Sequence, residues 1–227
     1  MDYSQFLAMK QEIGVLVVFL LVFLYDTFMP RKGQAVLPLV ATVLFACFTA
    51  LCFVTPWPDT IDAFAGMYTS STVIVAIKNI LNVGVLIVLI QSMKWANSET
   101  TAIRRGEFYE LLLVTLFGMY LMISARHFLL FVIGLETASL PLAAMVAFDK
   151  HRYESHEAAI KYILTAIFSS AIFMMGLSFV YGLTGSLYFS NIATAIAAGG
   201  TVSALLALAL AFVISGIGFK LSLVPFH

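Results

Sequence analysis

Seven stretches of this chain, near residues 8–28, 36–54, 72–92, 108–125, 128–147, 157–181 and 202–223, are apolar with few charges. Each is close to the ~20 residues that cross the ~30 Å hydrocarbon core of a bilayer. In lipid only helices and closed barrels satisfy the backbone. These runs are too long and too uniformly apolar for barrel strands, which alternate over about 10 residues. The expected fold is therefore all-α, integral to a membrane, with about seven spans. Composition agrees: 62% of residues are hydrophobic and 11% charged, against about 25% charged in soluble domains. Residues 13–25 could pass for a signal core, but Asp26, Pro30, Arg31 and Lys32 follow instead of a small-residue cleavage site.

The connections carry the orientation. Odd loops hold Arg31, Lys32, Lys94, Arg104, Arg105, Lys150 and Arg152; even loops hold only Arg126. The positive-inside rule then puts the odd loops in the cytoplasm and the N-terminus outside. Trp57, Tyr68, Trp95 and Tyr188 stand near span ends, as interfacial aromatics do. Loop six, polar and then Ala-rich, is expected to hold a short helix along the surface. Cys47 and Cys52 lie in one apolar run and read as buried small hydrophobes.

Charges inside the spans are the functional signal, because each costs at least ~2.5–3.5 kcal/mol at mid-bilayer. Glu136, in FVIGLETASLPL, is the deepest, about 13 Å along its helix at 1.5 Å per residue. Ser139 follows one turn on, and Pro141 frees the carbonyl of Thr137. Lys161 heads a stripe with Glu157, Thr165 and Ser169 at every fourth position; it reads as a snorkelling surface pair or as a wet path within a bundle. Lys220 follows Gly216 and Gly218 and precedes Pro225. This pattern predicts a helix broken around the lysine, and such breaks mark ion or substrate sites. Glu110 reads as an interfacial carboxylate or a relay group, Lys78 as a snorkelling lysine, and His127 as the cap of a short loop. Glu110, Glu157 and the closing His227 are further candidate relay groups. A buried glutamate and lysine favour each other's charged form. Separating them lets the lysine release its proton, which an arginine would keep. No Walker loop, CxxC, HExxH or nucleophile elbow suggests another chemistry.

Three segments carry a family likeness: ARHFLLFVIGLETASLPLAAMVAF, HEAAIKYILTAIFSSAIFMMGLSFVYGLTGS and GFKLSLVPFH. They resemble the antiporter-like membrane subunits of respiratory complex I, the proton-pumping NADH–quinone oxidoreductase. The likeness is firm from about 107 to 227. It implies a fold of two inverted repeats, each with a broken helix. It divides this chain into leading helices 1–3 (1–106) and a first repeat (107–227) truncated in its broken seventh helix. It also implies Glu136, Lys161 and Lys220 as the proton-translocating set. No cofactor is implied in this chain; FMN, iron–sulfur clusters and quinone belong to partner subunits. The partners would be the other membrane subunits of the complex, in a bacterial inner membrane. The family motif runs on past VPFH, so the chain is expected to be an N-terminal fragment, without a redox site of its own. Pro141 departs from the usual bacterial pattern. A subunit of a multi-subunit sodium/proton antiporter or a membrane-bound hydrogenase would carry the same charges, and a structural membrane spacer is a third reading.

Overall fold

The structure, a computed structural model, describes residues 3–55, 60–98, 101–150, 152–198 and 204–224. Trp57, Pro225 and His227, each singled out above, lie outside the described residues. A 3-10 segment, Tyr3–Met9, leads into α1 (Lys10–Phe28). Pro30 starts the short α2 (Arg31–Gln34), and α3 (Leu37–Val54) carries Pro38 at its first turn, where a missing N–H costs nothing. Strands β1 (Ile61–Ala63) and β2 (Tyr68–Ser70) form an antiparallel ribbon. Then come α4 (Thr72–Ala96), α5 (Arg105–Ser124), α6 (Phe128–Val146), α7 (Tyr153–Thr184), α8 (Phe189–Ala198) and α9 (Ala204–Lys220).

The fold is that of a helical integral membrane protein. Among the described residues six helices have the length and apolarity to cross a membrane, and α9 is a further apolar helix. Helix α8 is the short helix expected in loop six. The β ribbon in loop two was not foreseen, because three-residue strands leave no periodic signal.

The main core lies among α1, α3, α4 and α5, built on Val15, Val22, Phe45, Leu89, Leu113 and Tyr120. A second core joins α7, α8 and α9 through Val180, Ile192 and Ala209. Helix α6 lies against α5 and touches α7. Cys52 is buried as expected, but Cys47 is exposed on the outer side of α3.

Two helix pairs approach at backbone distance. A Cβ at Gly118 of α5 would stand 2.4 Å from the Ala138 nitrogen of α6, and one at Gly134 would stand 2.7 Å from the Met122 nitrogen. A Cβ at Gly176 of α7 would meet the Val213 nitrogen of α9 at 2.8 Å, and one at Gly216 would meet Phe173 Cβ at 2.6 Å. Small residues at such contacts are how membrane helices pack without a hydrophobic drive between them. Gly216 therefore serves α7–α9 contact; it does not loosen α9, which runs regularly to Lys220. There it ends in a Schellman turn: Ser222 N–H donates to the Phe219 carbonyl and Leu223 N–H to the Gly218 carbonyl, with Ser222 at φ 52°.

Loops two, four and six meet at one end of the bundle. Arg126 N–H donates to the Met67 carbonyl, Phe128 N–H to Leu187 and Phe189 N–H to Arg126. Phe64 N–H donates to Gln5 Oε1, so the N-terminal segment joins the same face. His127 caps α6, its Nδ1 accepting the Leu129 N–H at 3.1 Å, with its ring edge-on to Tyr188.

Two outcomes follow. Gly118→Val should lower the melting temperature of the solubilised full-length protein, overpacking costing about 1–3 kcal/mol. Gly84→Ala, with nothing within 4 Å, should be neutral or stabilising by about 0.5–1 kcal/mol. Burial holds His127 below its ordinary value of 6.5, and only neutral imidazole accepts the Leu129 N–H. The unfolded chain then binds this proton at higher pH than the folded one, so stability declines as pH falls through about 6.5. His127→Asn, a cap that does not titrate, should remove that part of the pH dependence in thermal melts.

Candidate functional site

Glu136 and Lys220 come together from α6 and α9. Lys220 Nζ lies 3.6 Å from Glu136 Oε1, with side chains 17% and 29% exposed. Ser170 of α7 donates to the same carboxylate oxygen at 2.5 Å. Ser139, one turn after the glutamate, is 3.5 Å from Glu136 Oε2 and accepts from Lys220 Nζ at 3.4 Å. Three helices thus converge on one carboxylate. Lys220 occupies the last turn of α9, where the helix dipole favours a cation.

Lys161 does not reach Glu136. It pairs with Glu157 at 2.5 Å, the lysine 73% and the glutamate 47% exposed. Both readings of the stripe have a counterpart: the pair is exposed, while Ser169 further along is buried with no protein partner. Thr165 returns its hydroxyl to the Lys161 and Tyr162 carbonyls. It also lines a cavity of about 180 Å³ with Tyr162, Phe219 and Lys220. Glu110, half-buried on α5, lies near Asp26 and Glu107 and makes no ion pair with the Glu136 set among the described residues.

The expectation for Lys78 is overturned. It does not snorkel: it is 1% exposed and pairs at 2.5 Å with Glu12, itself 1% exposed. Tyr68 is not an interfacial aromatic either. It is buried, and its hydroxyl donates to Glu12 Oε1 at 2.9 Å. Burial, then the Glu12 charge, pushes the Tyr68 hydroxyl well above the ordinary phenol range, so it stays a donor. Glu12 was missed because it sits in the first turn of an apolar run, where a carboxylate normally meets water and the helix dipole. The available signal was Lys78 itself: a lysine well inside a span needs an acid on another span. Ser170 was equally silent, since a serine in a helix has no periodic signature. Among the described residues no cluster of His, Cys, Asp or Glu could hold a metal.

The chain is similar to known membrane proteins. The family described as NADH:quinone oxidoreductase/Mrp antiporter, TM, matches residues 125–227. NADH-quinone oxidoreductase subunit N of Azobacteroides pseudotrichonymphae genomovar. CFP2 is 45% identical over the whole chain and 46% of the relative. The protein of the same name from Phocaeicola vulgatus is 45% identical over the whole chain and 47% of the relative. A chain of respiratory complex I from Thermus thermophilus with bound aureothin superposes with TM-score 0.71 at 30% identity, covering 96% of this chain and 45% of that one. A chain of an archaeal membrane-bound sulfane sulfur reductase gives TM-score 0.68 at 19% identity, over 97% of this chain and 46% of that one, a likeness of fold. The chain spans about half the length of the curated relatives it matches. The glutamate and lysine joined inside this helical membrane bundle lie within the residues that match the NADH:quinone oxidoreductase/Mrp antiporter transmembrane family, and the chain as a whole is similar to about half of subunit N.

Proposed function

We propose that this chain is part of a proton-translocating membrane subunit of an NADH–quinone oxidoreductase, in a bacterial inner membrane with its N-terminus outside. The observation that carries the reading is the Glu136–Lys220 pair, half-buried at the end of α9. The proposed role of Glu136 is to hold Lys220 protonated. When the two separate, the lysine gives up its proton along the cavity it shares with Thr165 toward Lys161 and Glu157. Residues 107–227 would form the first antiporter-like repeat, and 1–106 its leading helices. The redox chemistry, with its flavin, iron–sulfur clusters and quinone, would belong to partner subunits. Neighbouring membrane subunits would be the immediate partners.

An exposed ion pair on a membrane helix supports this. Glu157 and Lys161 in hydrocarbon would be costly, so their face of α7 must meet water or other protein. The relatives named as subunit N favour the oxidoreductase over an antiporter.

The test uses the full-length protein in its assembled complex. Lys220→Met should abolish NADH-driven proton uptake by membrane vesicles. Lys220→Arg keeps the ion pair but not the releasable proton, so uptake should be lost with assembly retained. A structural spacer would tolerate the arginine, and unchanged uptake in both variants would sink the reading. Sodium-driven proton exchange without NADH would favour an antiporter. Ser170→Ala removes a donor to a charged acceptor, worth about 1.5–3 kcal/mol. Uptake should fall by roughly tenfold or more if the Glu136 geometry sets the rate.

A further inference from the structure

We infer that the Glu12–Lys78 pair is a second proton-exchange site, served by a cavity at the end of the bundle where loops two, four and six meet. The cavity, about 270 Å³, is lined by Lys10, Glu12, Asp62, Tyr68, Ser70 and Lys78 among others. That volume has room for several waters at ~30 Å³ each, and the polar groups among its lining residues supply partners for them.

The pair is built unlike a simple strut. Glu12 Oε1 is crowded: Lys78 Nζ at 2.5 Å, Tyr68 hydroxyl at 2.9 Å and Ser124 hydroxyl at 3.5 Å all converge on it. Glu12 Oε2 is buried with no protein partner. A carboxylate held by one oxygen, with the other unpartnered in a residue that lines a cavity shared with Lys10 and Asp62, is placed to accept a proton there. The proton passes from a hydronium in the cavity to Oε2, leaving water and a neutral carboxylic acid. Lys78 keeps its three protons throughout. Its charge does not then stand bare: Nζ lies 5.4 Å from the Tyr68 ring and 5.3 Å from the Tyr120 ring, both within cation–π range. Two aromatic faces thus hold the cation while the carboxylate is neutral, and the return of the proton to water restores the ion pair.

The groups facing Glu12 are Lys78 from α4, Tyr68 from β2, Tyr120 and Ser124 from α5, and Cys52 from α3. Lys10 and Asp62 line the same cavity. None belongs to the Glu136–Lys220 set. A purely structural pair would have its second oxygen satisfied as well, since an unmet buried acceptor lowers stability.

The site can be tested in the full-length protein within its assembled complex by infrared difference spectroscopy between acid and alkaline buffer. A protonated-carboxyl band should appear on acidification, shift in heavy water, and be absent in Glu12→Gln. Because that variant fixes residue 12 in an uncharged form beside the cation, Glu12→Gln/Lys78→Met is made beside it. Replacing both partners of a buried pair is often neutral for stability. A spectrum that the substitutions leave unchanged overturns the inference, as does a band that follows sodium rather than pH. The link to pumping rests on the function proposed above. Redox-driven proton uptake should be lost in the assembled double variant, as in Lys220→Met. Uptake lost in Lys220→Met but normal in the double variant overturns this site's part in pumping alone. If neither variant affects uptake, the proposed function fails, and the infrared band alone decides whether Glu12 exchanges protons.

Discussion

The contacts that fix this molecule are those where two helices touch backbone to backbone. Gly118 and Gly134 bring α5 onto α6; Gly176 and Gly216 bring α7 onto α9. The side chains of the Glu136 set hang close to these contacts. Glu136 follows Gly134 by two residues, and Lys220 follows Gly216 by one turn. Ser170 is on α7, one turn before Phe173, which meets Gly216. With no hydrophobic drive between helices in lipid, close packing must supply the attraction. The carboxylate, the hydroxyl and the ammonium are therefore positioned by small residues that have no chemistry of their own.

The two buried pairs differ in how firmly they are held. Coulomb attraction at an effective dielectric near 20 is about 7 kcal/mol at 2.5 Å and about 5 kcal/mol at 3.6 Å. The desolvation cost is several kcal/mol for each ion. For Glu136 and Lys220, longer and partly open to solvent, gain and cost nearly balance, so the pair can open with little net change. Glu12 and Lys78, each 1% exposed, are held among α1, α4, α5 and β2 beside a small cavity. There, separating the ions has no compensation, and neutralising one of them in place is the easier change. The two pairs are thus suited to different events, a parting of side chains in one and a protonation without movement in the other.

Much of this was legible in the sequence, because the bilayer makes length and apolarity decisive. The seven long apolar helices lie close to the expected spans; α9 ends at Lys220, but Gly216 serves packing against α7, and Pro225, on which the expected break also rested, lies outside the described residues. What could not be read were pairings between helices. Glu136 could have met Lys161 or Lys220 on charge alone; backbone contact at Gly176 and Gly216 decides for Lys220. Lys78 was misread because snorkelling is the usual behaviour of a lysine near a span end, and burial here depends on Glu12, 66 residues away. The ribbon that brings Tyr68 to the same carboxylate is too short to show in a pattern, and its turn uses Phe64 and Ala65 at positive φ, where neither residue is favoured.

The charges also lie at graded depths. Counted along their helices at 1.5 Å per residue, Lys78 stands about 10 Å from the end where the even loops meet, and Glu136 about 13 Å from it. Lys161 stands about 13 Å from the opposite end of α7 by the same count. No direct hydrogen bond among the described residues joins these three positions. Hydroxyls stand between them instead: Ser124 beside Glu12, Ser139 and Ser170 on Glu136, Thr165 between Lys161 and the Lys220 cavity. A hydroxyl both donates and accepts. It can pass a hydrogen-bond chain onward with water on either side, which an apolar residue at the same depth could not. An unpartnered serine such as Ser169, buried on the face that runs from Lys161, fits that arrangement better than it fits a packed apolar helix, where it would only weaken the fold.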